Sequence, residues 1–319
     1  MLLKPTMSAV EFVSFLITLC LQPFLCLIGA LLNLACLFVL IVPLFQHNYC
    51  RKTSLLIYLI ALSVCNAVQL TFEQFIDDEL YSTAYQDLRH FNLNTMFLVY
   101  PVLMASNYAA LWTLTLICAQ RYQSLCNPTS PWKSRLNVFR KSKRCLVCVV
   151  ALAIIINLPR YSETRFAEAQ HELYQSIEYK IVQEGVVYGL LVYGVPMVVL
   201  IWLNYHTIRA IWLDKDERSQ STAAEHRTAH MTICFFILFF LCTTMSISLR
   251  LIAIFAGDTF FSIQVIWLVD LSNLLSNANA LTIPIVCFAF TRGFQDLFFV
   301  IRYPHNQHHQ FKSLLPVQL

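Results

Sequence analysis

Charged residues are scarce in this chain of 319 residues. Asp, Glu, Lys and Arg make up 13% of it, whereas 58% of the residues are hydrophobic. Water-soluble domains carry about 25% charged residues, so this composition excludes one. Internal repeats, Gly/Ser linkers and low-complexity tracts are missing too, apart from a His-rich stretch near the end. The chain is therefore expected to form a single membrane domain, and nothing in it predicts a nucleic-acid partner.

Seven long apolar runs follow one another along the sequence. A membrane-spanning helix needs about 20 mostly apolar residues, and the fourth run is shorter, so the polar residues after it are expected to complete its span. The first run has no small-residue cleavage site, which favours a retained helix over a signal peptide. The runs lie at 14–44, 54–76, 96–120, 145–159, 186–212, 231–255 and 262–290. They predict an all-α membrane protein, a seven-transmembrane helix bundle over residues 1–302 with a short cytoplasmic tail over 303–319.

The basic residues predict the orientation, because Lys and Arg accumulate in cytoplasmic loops. With the N-terminus outside, sixteen of the 22 Lys and Arg residues fall on the inner side and six on the outer side. Acidic residues divide the other way, thirteen outside and five inside. The prediction is a multi-pass plasma-membrane protein with an acidic extracellular mouth.

Extracellular cysteine is absent in this topology. All twelve cysteines fall in a predicted span or on the reducing inner side, which excludes an extracellular disulfide framework. We expect them to pack as small apolar side chains.

Polar residues inside the spans are costly and therefore mark functional sites or helix contacts. Most of these polar residues are amides. For three of them we expect hydrogen bonds between helices: Asn33, Asn66 and Asn279. Three acidic residues lie in the outer thirds of the second and seventh helices: Glu73, Asp77 and Asp270. They belong either to a functional site or to the water-exposed edge of a loop.

Arg121 ends the third apolar run, in the stretch "TLICAQRYQSLCNP". Helical spacing places it on one face with Leu114, Ala110, Asn107, Leu103 and Tyr100. A lipid-facing arginine that reaches back to the interface is the alternative, but a face shared with Asn107 indicates that Arg121 points into the bundle.

Several motifs resemble those of rhodopsin-like G-protein-coupled receptors, and among them the invertebrate FMRFamide-type neuropeptide receptors. Gln120-Arg121-Tyr122 resembles the Asp/Glu-Arg-Tyr triplet at the end of helix three, and "NLPRYSE" resembles the close of helix four. The other similar segments are Gly29-x-x-x-Asn33, "YLIALSVCN" ending in Asn66, "VPMVVLIWLN", "FFLCTTM" and "SNLLSNANALTIPIVC" with Pro284.

The resemblance implies a receptor that passes an extracellular signal to a heterotrimeric G protein, with no cofactor, no metal and no enzymatic activity. A short amidated, FMRFamide-like neuropeptide is the ligand that it implies. It also implies a short amphipathic helix on the membrane surface from about Phe294. The implied ligand site comprises Glu73, Asp77, Leu103, Asn107, Tyr188, Arg250, Asp270, Asn273 and Asn277. The implied switch comprises Gln120, Arg121, Tyr122, Glu225 and Pro284, with Arg121 resting against Glu225.

The chain departs from the family pattern at several positions. Met96 replaces the helix-three cysteine, so the usual disulfide is not expected. Asn66 replaces the sodium-binding aspartate, so we expect a hydrogen-bonded amide cluster and no ion. Met245, Ile283 and Cys287 replace switch residues of helices six and seven.

Three alternatives remain open. A chemosensory receptor for a small molecule would use the same fold. A membrane di-iron desaturase or hydroxylase would use histidine boxes such as His226-x-x-x-His230 and His305-x-x-His308-His309. An odorant-gated seven-helix channel would place the N-terminus inside, against the charge distribution. The sequence leaves open the ligand identity and the G-protein class.

Overall fold

The computed structural model describes residues 9–45, 54–73, 86–125, 131–136, 142–165, 177–213, 220–256 and 263–290. Over these residues the backbone is helical throughout, which confirms the predicted all-α fold. A short loop helix, Pro131–Arg135, lies between the third and fourth long helices. We number the long helices α1 (Ala9–Leu16, Ile17–Leu21 and Gln22–Phe45), α2 (Ser54–Glu73), α3 (Gln86–Leu125), α4 (Ser142–Arg165), α5 (Ile177–Lys180, Ile181–Gly194 and Val195–Leu213), α6 (Gln220–Ala256) and α7 (Ile263–Phe290).

Six of the described helices are long and apolar enough to cross a membrane: α1, α2, α3, α5, α6 and α7. The seventh, α4, contains the short fourth apolar run. Helix α4 is longer than this run, because it has charged residues at both ends. Lys143 and Arg144 lie in its first turns, and Arg160, Glu163 and Arg165 lie at its other end. Helices α1, α3, α5 and α6 also extend beyond their apolar runs, because a helix continues past the hydrocarbon region. Residues 291–319, with the expected surface helix at Phe294 and the tail, lie outside the described residues.

The bundle is organised around α3. This helix packs against α2, α4, α5 and α6, and α1 packs against α2 and α7. The span of α3 is the most buried of the six. Leu103, Ala110 and Leu114 are all buried, which confirms that the stripe leading to Arg121 faces the interior.

Asn33 links α1 to α7 through a carbonyl that Pro284 leaves open. Proline has no N–H, so Pro284 cannot donate to the Ala280 carbonyl four residues earlier. The Asn33 Nδ2 amide donates to that oxygen at 3.0 Å and to the Gly29 carbonyl at 2.8 Å. Asn33 is fully buried, so this bond satisfies a group that the membrane interior would penalise.

Gly29 allows α1 to approach its neighbours. A Cβ atom at this position would lie 2.7 Å from Leu70 Cδ1 of α2 and 3.4 Å from Leu281 Cβ of α7. A side chain here would require the end of Leu70 to shift, so the glycine helps to keep α1 close enough for Asn33 to reach α7.

Two helices contain π-helical segments, Ile17–Leu21 in α1 and Ile181–Gly194 in α5. Each ends two residues before a proline, Pro23 or Pro196. A proline removes a donor from the regular ladder, and a wider helical turn is one way in which the freed carbonyls are accommodated.

Candidate ligand cavity and cytoplasmic switch

A small cavity lies between α3, α5, α6 and α7. Its volume is about 20 Å³, which is room for roughly one water molecule. Its walls combine amide and hydroxyl groups with aromatic rings, and no charged residue is among the described side chains that line it. The lining residues are Asn107, Tyr108, Leu111, Tyr188, Val192, Tyr193, Phe239, Thr243, Ser246 and Ser276.

Two contacts across the cavity hold its walls together. The Tyr108 ring of α3 packs on the Tyr188 ring of α5 with centroids 5.7 Å apart. The Tyr193 and Thr243 hydroxyls are hydrogen-bonded at 3.0 Å, which joins α5 to α6. A ligand larger than a water molecule therefore has to move α5 and α6 apart.

Arg250 lies at the outer side of the cavity. Its guanidinium stacks over the Tyr188 ring, 4.6 Å from the centroid, as a cation–π pair. Leu103, one turn outward from Asn107 on α3, is buried. The structure thus brings Asn107, Tyr188 and Arg250 of the predicted ligand site together.

Two of the predicted acidic residues, Glu73 and Asp270, do not line this cavity. Asp270, in the outer half of α7, accepts hydrogen bonds from the Ser14 and Thr18 hydroxyls of α1. Glu73 is partly exposed at the last residue of α2, and Asp77 lies outside the described residues. In this state Asp270 binds α1 rather than facing the cavity.

Asn273 and Asn277 lie on α7, on either side of the cavity residue Ser276. Asn273 is partly exposed, whereas Asn277 is buried and its Nδ2 amide has no hydrogen-bond partner among the described residues. Neither amide lines the cavity itself.

Three hydroxyl residues of the cavity wall were not among the predicted site residues: Thr243, Ser246 and Ser276. Charged and amide residues are rare in membrane spans and therefore indicate a site, whereas Ser and Thr are common there and bond their own helix. Helical spacing could have found two of them. Ser246 and Thr243 lie four and seven residues before Arg250, on the same face of α6.

The amide cluster expected around Asn66 is not formed. Both donor hydrogens of Asn33 point to backbone carbonyls. Asn66 is buried, but its Nδ2 amide has no partner among the described residues, and neither has Oδ1 of Asn33. A hydrogen bond between amide side chains was expected for Asn33. Its amide instead donates to the Ala280 carbonyl, which Pro284 leaves without a helical donor. Asn279 is only partly buried and its side chain joins no such cluster.

Arg121 links α3 to α6 at the predicted cytoplasmic end of the bundle. Its Nη1 donates to Thr228 Oγ1 of α6 at 2.9 Å. Its Nε and Nη2 donate to Gln120 Oε1 at 3.0 and 2.9 Å. Gln120 thus holds the guanidinium with a neutral acceptor. Glu225 lies one turn before Thr228 on α6, and its side chain is outside the described set.

Tyr122, the last residue of the triplet, is buried against α5. Its ring lies 5.7 Å from Trp202 and 5.6 Å from His206, centroid to centroid. Trp132 of the loop helix packs edge-on against Trp202 at 5.0 Å. Arg121 therefore attaches α3 to α6, and its neighbour Tyr122 attaches α3 to α5.

These features agree with a comparison against known protein families. The model of the 7 transmembrane receptor (rhodopsin family) matches residues 33–286, well over half of the chain. Among curated proteins, none matches. The matched range begins at Asn33 and includes the cavity, Arg121 and Pro284. This chain belongs to the rhodopsin family of seven-transmembrane receptors.

Proposed function

We propose that this receptor senses a short extracellular peptide with an amidated aromatic C-terminus and passes the signal to a heterotrimeric G protein at the plasma membrane. Members of this family are membrane receptors and not enzymes, and they couple extracellular ligands to G proteins. Membership of the family does not specify a peptide ligand, so that part of the proposal needs its own support. The chemistry of the cavity wall carries that part of the proposal.

A carboxamide fits the polar groups of this cavity. Asn107, Ser246 and Ser276 offer both donors and acceptors without charge. A terminal carboxylate would lose its hydration against neutral groups, which is costly. The rings of Tyr108 and Tyr193 suit the aromatic side chain of the same residue, because aromatic pairs gain beyond the area that they bury.

Opening of the cavity links ligand binding to the cytoplasmic end of the bundle through α6. A ligand that separates α5 from α6 breaks the Tyr193–Thr243 hydrogen bond. The same α6 carries Thr228, which Arg121 holds at the other end. Outward movement of α6 therefore releases Arg121 for a G protein, a two-state change that a ligand biases by binding one state better.

The test uses short peptides that end in an aromatic residue, each made as the amide and as the free acid, in a G-protein reporter assay. We expect the amides to be at least about tenfold more potent, as a difference of about 1.4 kcal/mol requires. Asn107→Ala and Ser246→Ala should each reduce potency about fivefold, since one hydrogen bond is worth about 1 kcal/mol.

Ser248→Ala is the matched control. This exposed serine lies on the same helix as Ser246 and donates to the Thr244 carbonyl of its own helix at 2.9 Å, so potency should not change. Equal potency of the free acids would place the peptide terminus on Arg250 and contradict the amide assignment. So would a loss in Ser248→Ala as large as that in Ser246→Ala.

A further inference from the structure

A stripe of exposed side chains runs along the lipid-facing side of α5. Its members recur at intervals of three, four, four and three residues, which places them on one face of the helix. All five are exposed: Val198, Ile201, Tyr205, Arg209 and Trp212. The stripe lies within the apolar span Ile181–Trp212, so the bilayer covers it. An apolar surface suits lipid, but Tyr205 and Arg209 are polar.

Tyr205 and Arg209 carry polar groups that the protein itself does not satisfy. Within the part of the chain that the structure describes, the Tyr205 ring packs against His206 at 5.3 Å between centroids, but its hydroxyl and the Arg209 guanidinium form no hydrogen bond or ion pair. An arginine can extend its long stem to the lipid headgroups. The stiffer tyrosine cannot, and side chains lean toward the N-terminus of their helix, which on α5 is toward the bilayer interior. The Tyr205 hydroxyl therefore needs a partner that the lipid supplies.

The surroundings of this hydroxyl restrict the kind of lipid. Tyr205 and Arg209 are four residues apart and hence neighbours on the helix surface. A single hydroxyl group between them can accept from the guanidinium and share a hydrogen bond with the tyrosine. The apolar part of the stripe consists of Ile201 and Val198, whose β-branched side chains have few rotamers and form a stiff surface. From Val198 to Arg209 the helix rises about 16 Å. A sterol matches this surface, because it has one hydroxyl at the interface and a rigid, planar ring system beneath it.

We propose that this face of α5 is a binding site for a sterol of the inner leaflet, with the sterol hydroxyl between Tyr205 and Arg209 and its rings on Ile201 and Val198. Rigid rings lose less conformational freedom on binding than a flexible acyl chain does, which favours a sterol over a phospholipid. The segment also fits the order Leu-x-Tyr-x-x-x-Arg, a pattern proposed for cholesterol contact. Leu203 of this pattern is buried, so Tyr205 and Arg209 carry the recognition here. The site faces the membrane and is independent of the proposed peptide ligand.

The experiment places the full chain in phosphatidylcholine vesicles that contain a photoreactive 3β-hydroxysterol, and labelled peptides are mapped by mass spectrometry after irradiation. We expect labelling concentrated between Val198 and Trp212, and competition by an excess of unlabelled 3β-hydroxysterol. The 3α-hydroxy epimer is the lipid control, because it has the same rings and tail but directs its hydroxyl differently. It should compete about fivefold less well, as the loss of one hydrogen bond of about 1 kcal/mol predicts. This comparison uses the wild-type receptor and does not depend on the folding of a variant.

Tyr205→Phe removes only the hydroxyl and should reduce the labelling of α5 about fivefold, by the same reasoning. Phe38→Ala is the matched control and should leave this labelling unchanged. Phe38 is an exposed ring on α1, seven residues before that helix ends, whereas Tyr205 lies eight residues before the end of α5. Unfolding temperatures in vesicles without sterol check that both variants are folded.

Three results would overturn the proposal. One is equal competition by the two epimers, which indicates bulk sterol without a site. Another is undiminished labelling in Tyr205→Phe. The third is a photoreactive phosphatidylcholine that labels the stripe and that 3β-hydroxysterol does not displace, since the occupant is then a phospholipid.

Discussion

The position of Asn33 shows how one side chain compensates for a backbone defect. Pro284 leaves the Ala280 carbonyl without its helical donor, and the Asn33 amide supplies another at 3.0 Å. In a buried site an unsatisfied carbonyl costs about 1–3 kcal/mol. The asparagine of α1 and the proline of α7 therefore act as a pair, although they are far apart in sequence.

A double-mutant cycle tests this pairing. Asn33→Ala should lower the free energy of unfolding by about 1–3 kcal/mol, because Ala280 O loses its donor. In a Pro284→Ala background the restored N–H serves that oxygen, so Asn33→Ala should cost clearly less. Thermal unfolding of the purified receptor measures all four proteins. Additive effects would show that the two residues act independently.

The Asp270 carboxylate is engaged by α1, so a ligand has to compete for it with hydroxyl groups of that helix. Its carboxylate accepts hydrogen bonds from the Ser14 and Thr18 hydroxyls. A cationic group on a ligand has to displace them, and it gains a charged partner in a site of low dielectric. The predicted acidic mouth steers such a ligand toward Asp270.

Two substitutions should therefore act in opposite directions on a peptide that contains arginine. Asp270→Asn should weaken binding by about 1–3 kcal/mol, roughly 5- to 150-fold. Ser14→Ala should strengthen it, because one competing donor is gone. Replacing the peptide's arginine with neutral citrulline is the control, and both effects should then disappear. If the citrulline peptide responds to Asp270→Asn as the arginine peptide does, charge recognition by Asp270 is excluded.

Helices α3 and α6 are joined near their predicted cytoplasmic ends by Arg121 and Thr228. The hydrogen bond is only partly buried, so its contribution is about 1 kcal/mol. Gln120 accepts two hydrogen bonds from the guanidinium but adds no charge. We expect the resting state to be held weakly, with appreciable signalling in the absence of ligand.

Thr228→Val should raise this basal signalling about fivefold, as a loss of about 1 kcal/mol predicts. Glu225→Ala should also raise it, and Gln120→Glu should lower it by adding a charged partner. Thr232→Val is the matched control, since Thr232 is buried one turn away and bonds the Ala229 carbonyl of its own helix at 2.8 Å. A reporter assay without ligand, corrected for surface expression, compares them. The contact has no part in the resting state if Thr228→Val and Thr232→Val behave alike.

The spans were predictable from sequence because hydropathy acts over about 20 residues and averages out local detail. Even α4 was recognisable as a short run with a polar continuation. The π-helical segments of α1 and α5 were not predicted, because they depend on how each helix accommodates the turn before a proline. The boundaries of α1, α3, α4, α5 and α6 lie outside the predicted runs, by as much as eleven residues at the start of α6, since apolarity marks the hydrocarbon region and not the helix.

The candidate site was less predictable, for a physical reason that differs from residue to residue. Asn107, Tyr188 and Arg250 came from the family register and meet at the cavity. Asp270 was expected at the ligand, but the pairing of α1 with α7 decides its hydrogen bonds. Which α6 residue lies beside Arg121 likewise depends on the rotation of α6 about its axis, and the sequence pattern of a single helix does not specify that rotation. In the structure this residue is Thr228.

The whole bundle places a ligand cavity and a switch on the same two helices. Asn107 and Arg121 are fourteen residues apart on α3, about 21 Å at the usual helical rise. On α6, Thr243 lines the cavity and Thr228 holds the arginine. Since α6 is a single helix over Gln220–Ala256, a displacement at its cavity end is carried to the end that meets Arg121.

Nucleotide exchange on a purified G protein, with the receptor in membranes and aromatic-amide peptides as ligands, tests this coupling most directly. Peptides should raise exchange by the wild-type receptor and not by Ser246→Leu, whose larger side chain fills a cavity of about 20 Å³. Ser246→Leu should be expressed at the surface like the wild-type receptor, which shows that it is folded. Its basal exchange should not fall below that of the wild-type receptor, because a side chain larger than the cavity moves α5 and α6 apart, and this shows that the variant still reaches the G protein. The account is contradicted if Ser246→Leu responds to the peptides as the wild-type receptor does, or if no peptide raises exchange by either protein.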